Sequence, residues 1–250
     1  MMDTADIETN PFRQDFPLLA AQPDLVFLDS AATAQRPAAV LEAQKHFYET
    51  MNANPLRGLY KLSVEATEEI EKTRAHIARF IGAVDDAGEP QGSEIVFTRN
   101  ATEALNLVAW TLGRTVLHEG DEVVVSIMEH HSNIIPWQQV CAATGATLKY
   151  LRFDDDFHFT EEELEKKIGP KTKIVSVTQV SNVLGVENPI ADIAKHAHAV
   201  GAYMVVDGAQ SAPHVKVDVK AMDADLLAFS GHKLGGPMGI GVLWGKADIL

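Results

Sequence analysis

From Glu94 to the end of the chain, short apolar runs alternate with longer helical patterns, and this rhythm restricts the fold more than any other feature. The runs Val123-Val124-Val125 and Met204-Val205-Val206 place apolar side chains on successive residues. Successive residues of a strand point to opposite faces, so such strands are buried on both, as in a parallel sheet covered by helices. The expected strands are Ile95–Thr98, Glu122–Ser126, Thr147–Leu151, Lys173–Thr178, Tyr203–Asp207, Leu226–Ser230 and Ile240–Leu243. Expected helices between them are Thr102–Leu117, Asn133–Thr144, Thr160–Ile168 and Pro189–Val200. Thr160 followed by Glu163 reads as a capping box, and Pro189 suits a first helical turn. The last two strands leave no room for a helix between them, so one is expected to run antiparallel. Repeated β-α units predict an α/β fold, a doubly wound and mostly parallel sheet with helices on both faces.

Upstream, Pro11, Pro17 and Pro23 interrupt regular structure, so residues 1–25 are expected to be an irregular N-terminal segment. Helical patterns follow over Ala38–Met51 and Ser63–Ile81, the second with Val64, Ile70, Ile77 and Phe80 at helical spacing. Residues 26–250 are expected to form one large domain. A formal charge of −14 argues against a nucleic-acid partner, whose phosphates would be repelled. No apolar run approaches the roughly 20 residues that span a bilayer, and the acidic N-terminus lacks the pattern of a signal peptide. With Cys141 the only cysteine, no intrachain disulfide or thiolate metal cluster can form. A reducing compartment, by default the cytoplasm, is the expected location.

Ligands of open parallel sheets bind beyond the carboxyl ends of the strands. Five polar clusters fall there: Thr98–Thr102, Met128–His131, Gln179–Asn182, Asp207–Gln210 and Ser230–Lys233. Asp207 directly follows a buried run, and a buried acid is costly unless a cation or donor meets it. A helix cap would satisfy it, and so would the N–H of a cationic aromatic ring. Lys233 lies among Gly231, Gly235 and Gly236, which permit close approach of backbone to a ligand. It reads either as a surface lysine or as an imine-forming amine of the kind that burial activates. Thr102 opens a helix after a strand, as a cap or as part of a phosphate site with Ser230 and His232. His130 reads as a satisfied core residue or as a ring stacked on a flat cofactor; no ligand spacing supports a metal site. Asn182 and Gln210 offer amide donors. Cys141 reads as structural, within a helix, and Asp154-Asp155-Asp156 as a solvated turn.

Taken together, the stretches LDSAATAQRP (28–37), TRNATEALNLVA (98–109), MEHHSNIIPW (128–137), VSNVLGVENPI (180–190), VDGAQSAPH (206–214) and FSGHKLGGPMGIGVLWGK (229–246) resemble the class V aminotransferase family. Within it they resemble the SUF-type (group II) cysteine desulfurases. The resemblance implies the large domain of the pyridoxal-phosphate-dependent transferases of fold type I. It implies that Lys233 is the Schiff-base lysine, that Asp207 pairs with the pyridinium nitrogen, and that His130 stacks on the ring and assists proton transfer. Gln210 would bond the phenolic oxygen. Thr102, Ser230 and His232, with backbone amides near Ala101, would hold the phosphate, and Asn182 the substrate carboxylate. The substrate would be L-cysteine, the sulfur acceptor a protein of the SUF type serving iron-sulfur cluster assembly, and the enzyme a homodimer. Two departures stand out. Leu56 and Tyr60 replace two histidines of the group, so this loop's substrate contacts do not carry over. The group's smaller C-terminal domain, with its persulfide-forming cysteine and carboxylate-binding arginine, is not among these residues. The chain is therefore expected to be a fragment, inactive alone in sulfur transfer. Rival readings are a selenocysteine lyase or another enzyme on the same scaffold, and a non-catalytic cofactor-binding module.

Overall fold

The computed structural model describes residues 10–250, so the first nine residues of the expected irregular segment lie outside the described part. In the remainder of that segment the prolines start turns as well as break them. Asn10 caps a 3-10 turn over Pro11–Asp15, its Oδ1 accepting from the Phe12 N–H, and Pro17–Ala20 forms one helical turn. The Arg13 guanidinium closes the segment by donating to the carbonyls of Gln22, Pro23 and Leu25 at 2.7, 3.1 and 3.0 Å.

The described residues form two compact units, one of residues up to Thr73 with Gly231–Met238, the other of Arg74–Ser230 with Gly239–Leu250. The first unit holds helix α1 (Ala38–Thr50) and the start of α2 (Lys61–Phe80), which continues into the second unit. Before α2 the chain is pinned by that helix's own hydroxyls. Ser63 Oγ donates to the Asn54 carbonyl at 2.6 Å and accepts the Gly58 N–H, while Thr67 Oγ1 accepts the Leu56 N–H at 2.8 Å. Leu56 is held there at a φ of 71°, in the left-handed region that side chains with a Cβ rarely enter.

The second unit is built on a seven-stranded sheet of order β1-β7-β6-β5-β4-β2-β3. The strands are β1 (Ile95–Thr98), β2 (Glu122–Ser126), β3 (Thr147–Leu151), β4 (Thr172–Thr178), β5 (Tyr203–Asp207), β6 (Leu226–Ser230) and β7 (Gly241–Gly245). All pairings are parallel except those of β7, which runs antiparallel to both β6 and β1. The antiparallel member expected of the last two strands is thus β7, and β1 beyond it again runs with β6. The carboxyl ends of β1, β2, β4, β5 and β6 therefore share one edge.

Period-two alternation sorts the core into two layers. Val124, Met204 and Val206 pack on one face with Ile193, Ala194 and Ala197 of α6 (Ile190–Ala199) and Leu164 of α5 (Glu161–Lys167). Val123, Val125 and Val205 pack on the other with Leu105 and Val108 of α3 (Ala101–Val108) and Trp137, Val140 and Cys141 of α4 (Ile135–Thr144). Helices cover both faces, as the doubly apolar runs require.

The element ends differ from expectation where local hydrogen bonds compete. The helix expected over Thr102–Leu117 begins at Ala101 under an Asn100 cap. It then widens into a π-helical stretch at Ala109–Gly113 before a last turn, Arg114–Val116. The expected start at Asn133 is a 3-10 turn, His131–Asn133, ahead of α4. Only half of the capping box forms. Thr160 Oγ1 accepts the Glu163 N–H at 3.2 Å, but Glu163 Oε1 turns instead to the Arg152 N–H at 2.9 Å.

At the edge opposite the strand ends described above, Asp225 gathers the sheet's other rim. Its carboxylate accepts from the Met204 N–H at 2.7 Å and Lys246 Nζ at 2.7 Å, and lies 2.9 Å from His198 Nε2. Burial alone would push this carboxyl up, but the donors from Lys246, Met204 and His198 outweigh it and hold it below the usual carboxylate range. A depressed folded-state pKa stabilises above the unfolded value of about 4 and loses that stabilisation as pH falls through the folded one. Asp225→Asn is expected to lower the urea midpoint at pH 7 and to flatten its fall on acidification; a pH dependence parallel to the parent's would refute this.

Candidate active site

The carboxyl edge of the second unit brings together the polar clusters after β1, β2, β4 and β5, together with Ser230 at the end of β6. After β1 the chain turns directly into α3. Asn100 Oδ1 accepts the Glu103 N–H at 2.8 Å, so Asn100, not Thr102, is the cap, and Thr102 stands exposed in the first turn. Ser230 Oγ accepts the Ala101 N–H at 2.8 Å. The Ala101 amide is thereby used within the protein, while the Ser230 O–H remains able to donate outward. The strand that passes behind this turn must lack a side chain: a Cβ on Gly241 would lie 2.4 Å from the Asn100 Cα.

After β2, His130 caps the turn His131–Asn133. Its Nδ1 accepts the Ser132 N–H at 3.2 Å and lies 2.8 Å from Ser132 Oγ. An accepting Nδ1 leaves the ring proton on Nε2, and the residue is exposed. After β4, the segment Ser181–Gly185 closes a turn that leaves Asn182 exposed, while Gln179 is buried.

Asp207, at the end of β5, is 2% exposed. It caps no helix: Oδ1 accepts the Ala209 N–H at 2.9 Å, and the short helical turn Ser211–His214 begins under Gln210 instead. Gln210 is buried. Two buried polar atoms on this edge, Gln179 Oε1 and Ser211 Oγ, have no partner among the described residues. Buried polar groups are ordinarily satisfied, so the edge has donor and acceptor capacity left for a polar ligand.

Lys233 and His232 belong to the first unit, in the 3-10 turn Gly231–Lys233 that follows Ser230 directly in the chain. The segment LDSAATAQRP holds this turn. The His232 carbonyl accepts from the Ala34 N–H at 3.1 Å and from Arg36 Nη1 at 3.3 Å, and His232 Nδ1 lies 3.1 Å from Thr33 Oγ1. Burial, with the charges of Lys233 and Arg36, holds the His232 imidazole below its usual range and so favours the neutral ring. Gly235 leaves the turn at a φ of 79°, where a Cβ would also press on Pro37 at 3.3 Å.

Sequence reasoning missed two features. Thr33 and Arg36 went unassigned because their partner lies some two hundred positions away. Glu129, inside the Met128–His131 cluster, was given no role of its own beside the histidines. It is buried, with Oε1 accepting from Ser126 Oγ and from the Thr178 N–H at 2.9 Å, and Oε2 from Asn133 Nδ2 at 2.7 Å. Burial pushes its carboxyl up to about 8, against those donors and with the help of Asp207. The test applied to Asp207, an acid next to an apolar strand, would have found it.

The mostly parallel seven-stranded sheet with helices on both faces is the fold of pyridoxal-phosphate-dependent enzymes of fold type I. The chain belongs to the aminotransferase class-V family, whose model it matches over residues 26–250. It is 55% identical over 222 residues to a probable cysteine desulfurase of Halalkalibacterium halodurans, covering 89% of this chain and 53% of that protein. A cysteine desulfurase of Dickeya dadantii is 49% identical, with 95% and 57% covered. Among solved structures, a cysteine desulfurase from Escherichia coli superposes with a TM-score of 0.84 at 39% identity, covering 100% of this chain and 59% of that one. The apo cysteine desulfurase of Thermococcus onnurineus gives 0.86 at 40%, covering 99% and 58%. The chain thus spans a little over half the length of the relatives it matches. Enzymes of this family depend on pyridoxal phosphate, and the buried acid, exposed imidazole, helix start and spare polar atoms of this edge fit that group.

Cys141 is buried, packed in the α4 layer. Burial pushes its thiol up to about 11, which suppresses the reactive thiolate. It is expected to resist iodoacetamide in the native protein and to react on unfolding, and Cys141→Ser is expected to bind cofactor as the parent does. Rapid native labelling that abolishes cofactor binding would contradict this.

Proposed function

We propose that residues 26–250 are the cofactor-binding large domain of a pyridoxal-phosphate-dependent cysteine desulfurase, which takes sulfur from L-cysteine and leaves L-alanine. The observation that carries this reading is the Asp207 carboxyl, buried at the end of β5 with one oxygen fixed by the Ala209 N–H. A buried carboxylate so held is suited to keep a proton on a ring nitrogen. Pyridoxal phosphate, when bound, supplies the electron-accepting ring that stabilises negative charge at the substrate α-carbon. The residues of this chain supply the rest. Lys233 offers the amine that would hold the cofactor covalently, and its Nζ is the base for the substrate α-proton. His130, with Nδ1 engaged by Ser132, would lay its exposed ring on the cofactor and carry a transferable proton at Nε2. Ser230 would donate its remaining O–H to the phosphate, with Thr102, His232 and the amides near Ala101 beside it. Gln210 would bond the phenolic oxygen, and the exposed Asn182 the substrate carboxylate.

The names and identities of the relatives support the substrate assignment. We propose further that the enzyme works as a cytoplasmic homodimer and passes its sulfur to an acceptor protein of the SUF type for iron-sulfur cluster assembly. No helix of the described residues is long and apolar enough to cross a membrane. Cys141, buried in a helix, is not the sulfur-accepting thiol in this reading. Borohydride treatment of the protein incubated with pyridoxal phosphate is expected to fix the label at one lysine, and Lys233→Ala is expected to abolish it. Label retained on that variant would overturn the assignment.

A further inference from the structure

We infer that Glu129 is a positioning residue of this site, whose carboxyl ties the ends of β2 and β4 together and, through Asn133, sets where the His130 ring stands. The inference rests on the reading of His130 as a cofactor contact. It begins with the direction of each hydrogen bond. The Trp137 indole can only donate, and it meets Asn133 Oδ1 at 2.9 Å. Ser176 Oγ lies 2.6 Å from the same oxygen. The Asn133 amide is thereby fixed with its nitrogen toward Glu129 Oε2, at 2.7 Å. Ser126 Oγ accepts the Met128 N–H at 3.2 Å and turns its own hydrogen to Glu129 Oε1, which also takes the Thr178 N–H. Every neighbour therefore presents a donor, and in its ionised form the carboxyl accepts on both oxygens, against the burial that pushes it up to about 8.

The consequence for His130 follows along the backbone. Glu129 precedes it in the chain, and the Asn133 N–H, 2.8 Å from the His130 carbonyl, closes the turn from the other side. Both neighbours of the imidazole segment are thus held by one carboxyl, while among the described residues the ring's hydrogen-bond partner is Ser132 and its ring neighbour the edge of His131, 5.9 Å away between centroids. The same carboxyl reaches β5 through Thr178, whose Oγ1 lies 3.3 Å from the Asp207 carbonyl. A glutamine at this position fits the volume but brings its amide nitrogen against the Asn133 amide or against Ser126 and Thr178. In the first orientation relief requires Asn133 to turn over and give up Trp137 and Ser176; in the second the Thr178 N–H loses its acceptor.

The test is a double-mutant cycle read by pyridoxal-phosphate affinity and by the induced circular dichroism of the bound cofactor. Glu129→Gln is expected to weaken affinity by about tenfold, the scale on which residues that orient a ligand-contacting side chain act, and to reduce the dichroic band. In a His130→Ala background the same substitution is expected to cost little more. Equal losses in both backgrounds, or no loss with His130 present, would overturn the inference. If His130→Ala itself leaves affinity and the band unchanged, the cofactor reading of His130 fails instead. Should Glu129→Gln not fold, Ser126→Ala removes a single donor and enters the same cycle with the same two readings.

Discussion

Two carboxyl groups buried at one edge of a parallel sheet impose the arrangement of everything around them. A carboxyl taken from water without partners is costly, so Glu129 and Asp207 must each be met by fixed donors. For Glu129 those donors come from β2, the end of β4 and the turn into α4; for Asp207, from the backbone two residues on. Thr178 stands between them, giving its N–H to Glu129 and its hydroxyl to carbonyls of its own edge, Val180 and Asp207. The polar rim is thereby built from the ends of three adjacent strands, β2, β4 and β5, rather than from free loops, and rigid elements place functional groups more closely than loops do.

The sheet was legible because burial on both faces leaves few choices. Val123 to Val125 and Met204 to Val206 can satisfy two apolar layers only as central strands, and they lie in β2 and β5. The turn of direction at β7 was legible from the shortness of its connection. Helix ends were less so, because they are decided by which side chain captures an orphan N–H. Asn100 takes the cap that Thr102 could also have served, and Arg152 diverts Glu163 from the capping box. The π-helical widening at Ala109–Gly113 left no trace in the apolar spacing.

For the site, residues that follow a strand were readable one at a time, since the edge they occupy is fixed by topology. Their supports were not. Thr33 and Arg36 meet His232 through contacts between distant parts of the chain, and composition carries no signal of such pairing. The stretch LDSAATAQRP was recognisable by resemblance, yet what it does physically emerges only from its hydrogen bonds to the lysine turn. The loop at Leu56 and Tyr60 departs from that resemblance, and it is pinned through its backbone, the Leu56 and Gly58 N–H groups donating to the hydroxyls of Thr67 and Ser63.

The position of β1 has a consequence for how the sheet can be assembled. Among the described residues β1 is the first strand, yet within the sheet it pairs only with β7, the last of the seven. On a ribosome its backbone donors and acceptors emerge early and wait for a partner until nearly the whole sheet has been made. Pairing of such long sequence separation closes a large loop and is slow to form. The inner strands and the β6–β7 hairpin, held across Ser230 and Gly241, can settle first. In the meantime β1 is an open edge carrying Ile95, Val96 and Phe97, and an unpaired edge of this kind invites association with other chains. Expression yield and chaperone dependence should accordingly respond to substitutions on the exposed edge of this strand.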